Sequence, residues 1–502
     1  MHDRLYLGID LGTSATKAVL VEPDGRVVAR GSASHPDTRT LGVGRVDPGP
    51  WRRSVVEACA ALGPARARAV AVGLAMHAPV ALFLDGDGVP LGPGVGWDHP
   101  ELPAHCAGAD GLRTRAEAEL VGNRAFPATT MAMAWPVGLR ERPDLADHCV
   151  TFGFVGTWLG QFLTGRPALD PTQASYVGLM ASTDGSQRWL ADLAARFGVP
   201  RTLLPEIRSS LSVLGELTEP AGRLLGLPPG IPVAVGAADT AAAAYLLDLD
   251  EDGRALYTVG TTHVITTGRR APDPMPAAIS RAHVVPGRWL SHGATNGGDA
   301  LALGARLLGY GSGGDAVRQM IAAAGAARPD EVEDAPVFIP HVTAERGPLW
   351  LDRPRSAVVG LLPSTGTAAA AWGMAEGVVF ASRLVLEMGA ADLPAPDPAA
   401  GPVLLTGNFG VDGALSQLVA DLLGRPVELV VESHLPAVGA AAIAVAATQG
   451  ARLPAPPVTR ITPRPEWAAT VARRWQRFAH QWSLTVGRPF PVAVGRDAVA
   501  AP

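Results

Sequence analysis

At 502 residues the chain exceeds what one hydrophobic core usually serves, so two domains, or three, are expected. With 47% hydrophobic and 18% charged residues and abundant Gly and Pro, its composition is that of an α/β enzyme rather than a disordered or fibrous chain. A net charge of −5 without a basic run argues against nucleic acid and anionic membrane as partners. Cys59, Cys106 and Cys149 are far apart and form no C-x-x-C, which argues for reduced thiols in a cytoplasm and against zinc or a disulfide frame.

No secretion signal is expected from the first residues, because Asp10 interrupts the first apolar run. That run opens LYLGIDLGTSATKAVL, Leu5 to Leu20, which reads as a β-hairpin with one acid at its bend. Gly12 lets backbone N–H groups approach an anion, and Thr13, Ser14 and Thr16 add hydroxyls. Asp10 is placed to take a magnesium ion through water. The alternative is an ordinary hairpin with a polar turn. Lys17 is the only lysine in the chain; preceded by Thr16, it fits neither a P-loop nor a protein-kinase strand lysine, and it too has a plain reading as a solvated strand residue.

Val27 to Ser34 extends the hairpin, and Pro48 to Trp51 starts an amphipathic helix over Arg52 to Leu62. The strand Ala69 to Leu74 ends at Met76-His77-Ala78-Pro79, where α/β folds present side chains to ligands. A second hairpin, Val80 to Leu91, delivers Trp97-Asp98-His99. His77 reads equally well as a core histidine, and Trp97 as packing. From Leu112 to Leu203 the pattern is mostly helical, clearest at Trp135 to Leu145 and Val155 to Leu163.

Ile231 to Gly236 reads as a buried strand that ends at Ala237-Ala238-Asp239-Thr240 and leads into a helix over Ala241 to Leu247. Asp239 there suits general-base work or a helix cap. The surrounding Val233 to Leu247 is alanine-rich and broken by Asp239, so no membrane span is read, since one takes about 20 apolar residues. Leu256 to Thr267, LYTVGTTHVITT, repeats strand, Gly260-Thr261-Thr262, strand, and echoes the opening hairpin half a chain later. Two such turns suggest two similar domains clamping a polyphosphate.

Gly268 to Val285 reads as a loop, and Gly293 to Leu308 as a turn with Asn296-Gly297-Gly298 feeding a helix whose N-terminus could meet an anion. Gly309 to Gly314 matches G-x-G-x-x-G but follows a helix, so it is rejected as a dinucleotide fingerprint. A polar loop, Glu345 to Arg355, precedes a long helix from Thr367 to Glu387. Strand Val403 to Thr406, Gly407-Asn408-Phe409-Gly410 and helix Ala414 to Leu423 make a second candidate nucleotide contact. Gly439 to Ala442 opens a small-residue helix against which a ring or ribose could press. The last helix, Glu466 to Trp482, stripes Trp467, Val471, Trp475, Phe478 and Trp482 on one face, which predicts docking on the body.

Taken together, GIDLGTSATK at 8 to 17, GAADTAAA at 236 to 243, VGTTHV at 259 to 264, GATNGGDALAL, the Glu345-Arg346 loop, the segment 360 to 377 and LLTGNFG…GRPVE at 404 to 428 resemble the FGGY carbohydrate kinases of the actin, Hsp70 and sugar kinase superfamily. The resemblance runs from about Leu5 to Gly450. It implies an α/β fold of two ribonuclease-H-like domains, over 1–245 and 246–502, with a cleft between them that closes on MgATP and a sugar or polyol.

On that resemblance Asp239 is the catalytic base, and Asp10 and Asp239 hold Mg2+. ATP falls to Gly12, Thr13, Ser14, Lys17, Gly260, Thr261, Thr262, Gly298, Gly407, Asn408 and Gly439. The sugar falls to Met76, His77, Trp97, Asp98, Asp239 and Thr240, with a xylulokinase-like member expected and a ketopentose the expected substrate. A homodimer is one assembly the resemblance allows. The chain departs from the pattern at Ala75, where glutamine is usual, and at His99-Pro100-Glu101, which lacks the arginine of W-x-D-x-R. Thr240 replaces a frequent asparagine, and Asn408, Phe409 and Asp412 alter the adenosine loop. Those changes motivate the alternative, a catalytically silent sugar- or nucleotide-binding relative; the intact Asp10 and Asp239 weigh against it.

Overall fold

The computed structural model describes residues 4–35, 41–250, 254–272, 277–390, 401–407 and 413–494. Its framework is two mixed β-sheets built on the same plan. In the first, Val27–Ser34, Ala15–Val21 and Leu5–Leu11 form an antiparallel meander. Leu5–Leu11 then pairs in parallel with Ala69–Met76, which pairs in parallel with Pro232–Ala234 and Ala237–Ala238. In the second, Trp289–Asn296, Thr262–Arg269 and Ala255–Val259 form the meander, and Val403–Gly407 and Val427–Val430 continue in parallel. The repeated meander with parallel strands behind it is the duplicated ribonuclease-H-like arrangement expected from the paired Gly-Thr hairpins.

Parallel strands are covered on both faces, and the covering helices here come from both halves of the chain. Asp239–Leu246 and Leu435–Gln449 pack on each other, and the latter crosses Leu5–Leu11 and Ala69–Met76. The contact is close because Gly8 and Gly73 lack side chains: a Cβ on either would fall inside the van der Waals shell of the Ala437 or Ala440 carbonyl oxygen. A Gly73→Ala variant is therefore expected to lose about 3 kcal/mol or more, since backbone cannot yield as a side-chain tip does. Urea unfolding checks this, and an unchanged midpoint would refute the close approach.

Several elements differ from the sequence reading. The stretch Gly268 to Val285 contains the end of strand Thr262–Arg269 and the strand Ile279–Ala282, and Gly293–Asn296 ends a strand before the expected turn at Gly297 feeds the helix Gly298–Leu307. Ile279–Ala282 is held by its ladder to Trp289–Asn296, which pairs in turn with Thr262–Arg269, and this pairing outweighs the local Pro and Gly signals. Leu435–Gln449 starts four residues before Gly439. The region Leu112 to Leu203 holds short helices but also the strand Thr151–Phe154.

The aromatic stripe docks as expected: Trp467, Val471, Trp475, Phe478 and Trp482 are all buried, and Trp467 stacks on Trp372 at 4.2 Å. Helix Thr367–Ala390 contains a stretch, Thr367–Gly389, long and apolar enough to cross a membrane, but 89% of its 18-residue apolar window is buried inside the fold, as in a core helix. Cys59, Cys106 and Cys149 are unpaired and buried.

Candidate active site

Three neighbouring strand ends converge at the carboxyl edge of the first sheet. The register sets Asp10 beside Ala75 and Leu11 beside Met76, while Ala237 and Ala238 sit beside the same two residues from the other side. Asp10, Met76-His77 and Asp239 therefore emerge side by side, at the edge where open α/β sheets bind ligands.

Asp10 is 6% exposed, and its Oδ1 has no hydrogen-bond partner. Burial pushes its carboxyl up to about 8; Asp239 pushes the same way, and Lys17 pulls down. An orphaned buried carboxylate oxygen fits a hard cation. Without one, Asp10 is neutral when the protein folds near pH 7, and the stabilising contribution of its proton is fully present below the ordinary value of 3.8 and lost as pH rises through about 8. Hence the ligand-free thermal midpoint of the wild type should fall relative to Asp10→Asn as pH rises from 5 to 8. Parallel calorimetric curves for the two proteins would refute it.

The turn after Asp10 is held open by Gly12 N–H donating to Ala15 O at 3.0 Å and His35 N–H to Ser14 O at 2.9 Å, with Thr13 and Ser14 exposed. Thr16 does not join them: its hydroxyl is spent in the interior on Ser54 Oγ, at 2.8 Å. Lys17 points from the hairpin across the cleft and donates to Ser433 O at 3.1 Å.

Asp239 opens the helix Asp239–Leu246 as its first residue, not as its cap; Ala238 has that place. Its Oδ1 accepts from Thr240 N–H at 2.6 Å and from the Thr240 hydroxyl at 3.2 Å. Burial raises its carboxyl above the ordinary range, and those two donors restrain the rise. Behind it lies a buried support that sequence reasoning missed. Ala238 N–H donates to Thr172 Oγ1 at 2.8 Å, Thr172 donates to Asp170, and Asp170 accepts from Gln173 N–H at 3.0 Å and its side-chain amide at 2.8 Å. The polar run Asp170-Pro-Thr-Gln in an otherwise apolar stretch was the available signal.

Across the cleft the second turn is clamped from behind. Gly298 N–H donates to Gly260 O at 2.9 Å and Asp299 N–H to Thr261 O at 3.3 Å, which ties the helix Gly298–Leu307 to Gly260-Thr261-Thr262. Glu345 Oε1 accepts from Asn296 N–H at 3.0 Å, Thr295 Oγ1 at 3.1 Å and His341 Nδ1–H at 2.7 Å. Trp482 donates its indole N–H to His341 Nε2 at 2.8 Å, which leaves Nδ1 as the protonated nitrogen.

The two sides enclose a cleft of about 550 Å³, with Asp10, Lys17, Asp239 and Thr240 on one wall and Gly260, Thr406, Gly407 and Glu432 on the other. Gly407 has φ +149°, and a Cβ there would strike the Val259 carbonyl. Asn408, Phe409 and Asp412 lie outside the described residues. Gly439 sits where two helices cross, and a Cβ there would strike the Ala242 carbonyl. A groove of about 600 Å³ on the outer face, beside Arg473 and Arg477, shares no residue with the cleft.

Of the residues expected to meet a sugar, Met76 is fully buried, and His77 Nδ1–H donates to Leu11 O at 2.9 Å beside the edge of Trp51. Trp97 and Asp98 are half-buried. The departing residues have their own partners: His99 Nε2 lies 3.3 Å from Glu141, and Glu101 pairs with Arg140 at 2.9 Å. Sequence reasoning also missed the cluster of Tyr176, Arg281 and Arg346 beside Trp97. The Arg346 guanidinium lies 4.5 Å over Trp97, and that of Arg281 lies 3.7 Å over Tyr176.

Comparison with known proteins follows the same lines. Residues 5–245 match the FGGY family of carbohydrate kinases, N-terminal domain, and residues 255–448 match its C-terminal domain. A xylulose kinase of Streptomyces coelicolor is 31% identical over 98% of this chain and 93% of its own. A glycerol kinase of Thermus brockianus is 30% identical over 84% and 86%. The crystal structure of xylulose kinase from Rhodospirillum rubrum superposes with a TM-score of 0.83 at 25% identity, over 96% of this chain and 99% of that one.

Proposed function

We propose, for a chain that belongs to the FGGY family of carbohydrate kinases, that ATP-dependent transfer takes place in the cleft between the two sheets and that the acceptor is a ketopentose such as xylulose or a related sugar or polyol. The carrying observation is the meeting of Asp10 and Asp239 opposite the turn Gly260-Thr261-Thr262.

Asp239, desolvated and braced by Thr240 and the Asp170–Thr172 support, takes the proton of the acceptor hydroxyl as that oxygen bonds to the γ-phosphorus and the bond to ADP breaks. The N–H groups and hydroxyls of the two Gly-Thr turns receive the phosphate oxygens, and Lys17 adds a positive charge from the side. A magnesium ion held by Asp10 and Asp239 would neutralise charge on the phosphates. Among the described residues no cluster of three or more His, Cys, Asp or Glu forms a complete metal cage, so most of its ligands would be phosphate oxygens and water. Met76, His77, Trp97, Asp98 and Thr240 form the sugar wall, and Gly407 and Gly298 border the nucleotide.

A cytoplasmic location belongs to the same reading, supported by three buried free thiols. The silent-relative reading is not favoured, because both carboxylates and both turns are in place. An ADP-coupled screen with magnesium and ATP against pentuloses, hexuloses, aldonates, glycerol and other polyols tests the proposal. Sugar-dependent ADP release supports it; ligand binding with no turnover on any acceptor would overturn it.

A further inference from the structure

A turn that binds phosphate has to show its N–H groups and keep its carbonyl oxygens occupied elsewhere, because a carbonyl aimed at a phosphate repels it. At the second turn a helix does this: the amides of Gly298 and Asp299 take the carbonyls of Gly260 and Thr261. The first turn is covered differently. Leu11 O accepts from the His77 N–H and from its ring Nδ1–H, both at 2.9 Å, and Ala15 O accepts from the Gly12 N–H. The carbonyl of Gly12, which corresponds to that of Gly260 in the repeated motif, has a side-chain partner instead: Nε2 of His35, at 3.1 Å. The N–H of the same residue holds Ser14 O at 2.9 Å. Among the described residues the amides of Thr13 and Ser14 donate to no protein group.

The His35 ring is committed to that contact. A carbonyl only accepts, so Nε2 is the protonated nitrogen. Nδ1 is buried and, among the described residues, has no hydrogen-bond partner, and burial holds the ring below the ordinary imidazole range. The backbone bond to Ser14 could come from any residue but proline, whereas the bond to Gly12 needs a donor at the far end of this side chain. Resting on the kinase reading above, we propose that His35 is a positioning residue for the polyphosphate of ATP. Its ring keeps the Gly12 carbonyl occupied, so that the turn offers the phosphates the amides and hydroxyls of Thr13 and Ser14. One imidazole thus does at the first turn what the first amides of Gly298–Leu307 do at the second.

The test measures binding of a non-hydrolysable MgATP analogue and of adenosine by calorimetry, and kcat and KM with the best acceptor, for wild type, His35→Leu, His35→Gln and His35→Asn. Glutamine can place an N–H where Nε2 stands, and asparagine only where Nδ1 stands. His35→Leu is expected to weaken the analogue and lower kcat/KM for ATP by about three- to tenfold, what one neutral hydrogen bond is worth, while adenosine affinity and KM for the sugar stay within about twofold. His35→Gln is expected to recover most of that loss and His35→Asn little of it. Should His35→Leu fail to fold, the comparison of glutamine with asparagine decides alone. Analogue affinity unchanged in His35→Leu, an equal loss for adenosine, or asparagine restoring binding as well as glutamine would each overturn the role of His35 and leave the kinase intact. Analogue binding that follows the expected order without turnover on any acceptor would support that role and overturn the kinase reading.

Discussion

Asp239→Asn is expected to lower kcat for sugar phosphorylation by about 10²–10⁴-fold, the range for loss of a positioned general base. The amide keeps the size and the place at the first turn of Asp239–Leu246, but it has no basic oxygen for the acceptor proton. KM for the acceptor should move far less, because Met76, His77 and Trp97 are untouched. Steady-state kinetics with saturating ATP reads both quantities. A variant that keeps more than about a tenth of wild-type kcat would place the base elsewhere.

The second large effect concerns stability. Glu376 accepts from Arg474 Nε and Nη2, both at 2.6 Å, and from the Trp372 indole N–H at 3.0 Å; both charged side chains are about 1% exposed or less. This pair locks Ala468–Val486 to Thr367–Ala390, and Arg474 also donates to Ala335 O at 2.9 Å. Glu376→Ala leaves a buried guanidinium with carbonyl partners only, and should cost about 3–5 kcal/mol. Replacing both members with apolar residues, as in Glu376→Met with Arg474→Leu, should recover most of that loss. Denaturant unfolding measures it, and a single variant that loses less than about 1 kcal/mol would contradict the assignment.

The opening hairpin and its echo were legible because period-two patterning and Gly-Thr turns are local signals. Asp10 and Asp239 stood out for the same reason, each at a strand end beside small residues. That the two strand ends are neighbours is a matter of sheet order, which local patterns do not encode: both flank Ala69–Met76. Strand Ile279–Ala282 was hidden among Pro, Arg and Gly because its stability comes from pairing with Trp289–Asn296. Tyr176, Arg281 and Arg346 come from three separate stretches and have no shared motif. Thr16 sits in the phosphate turn by sequence, yet strand alternation turns its hydroxyl inward to Ser54. Gly439 shows that small residues serve more than one purpose: whatever ligand contact it makes, it also lets its helix approach Ala242 closely.

The most direct measurement is a single-turnover experiment with radiolabelled γ-phosphate in ATP, magnesium, enzyme in excess and the best acceptor from the screen. Direct transfer under Asp239 predicts that the label appears in the sugar as fast as ADP forms, that none is held on the protein, and that Asp239→Asn slows both together. Label released as inorganic phosphate at the same rate without sugar, or retained on the protein, would contradict the account.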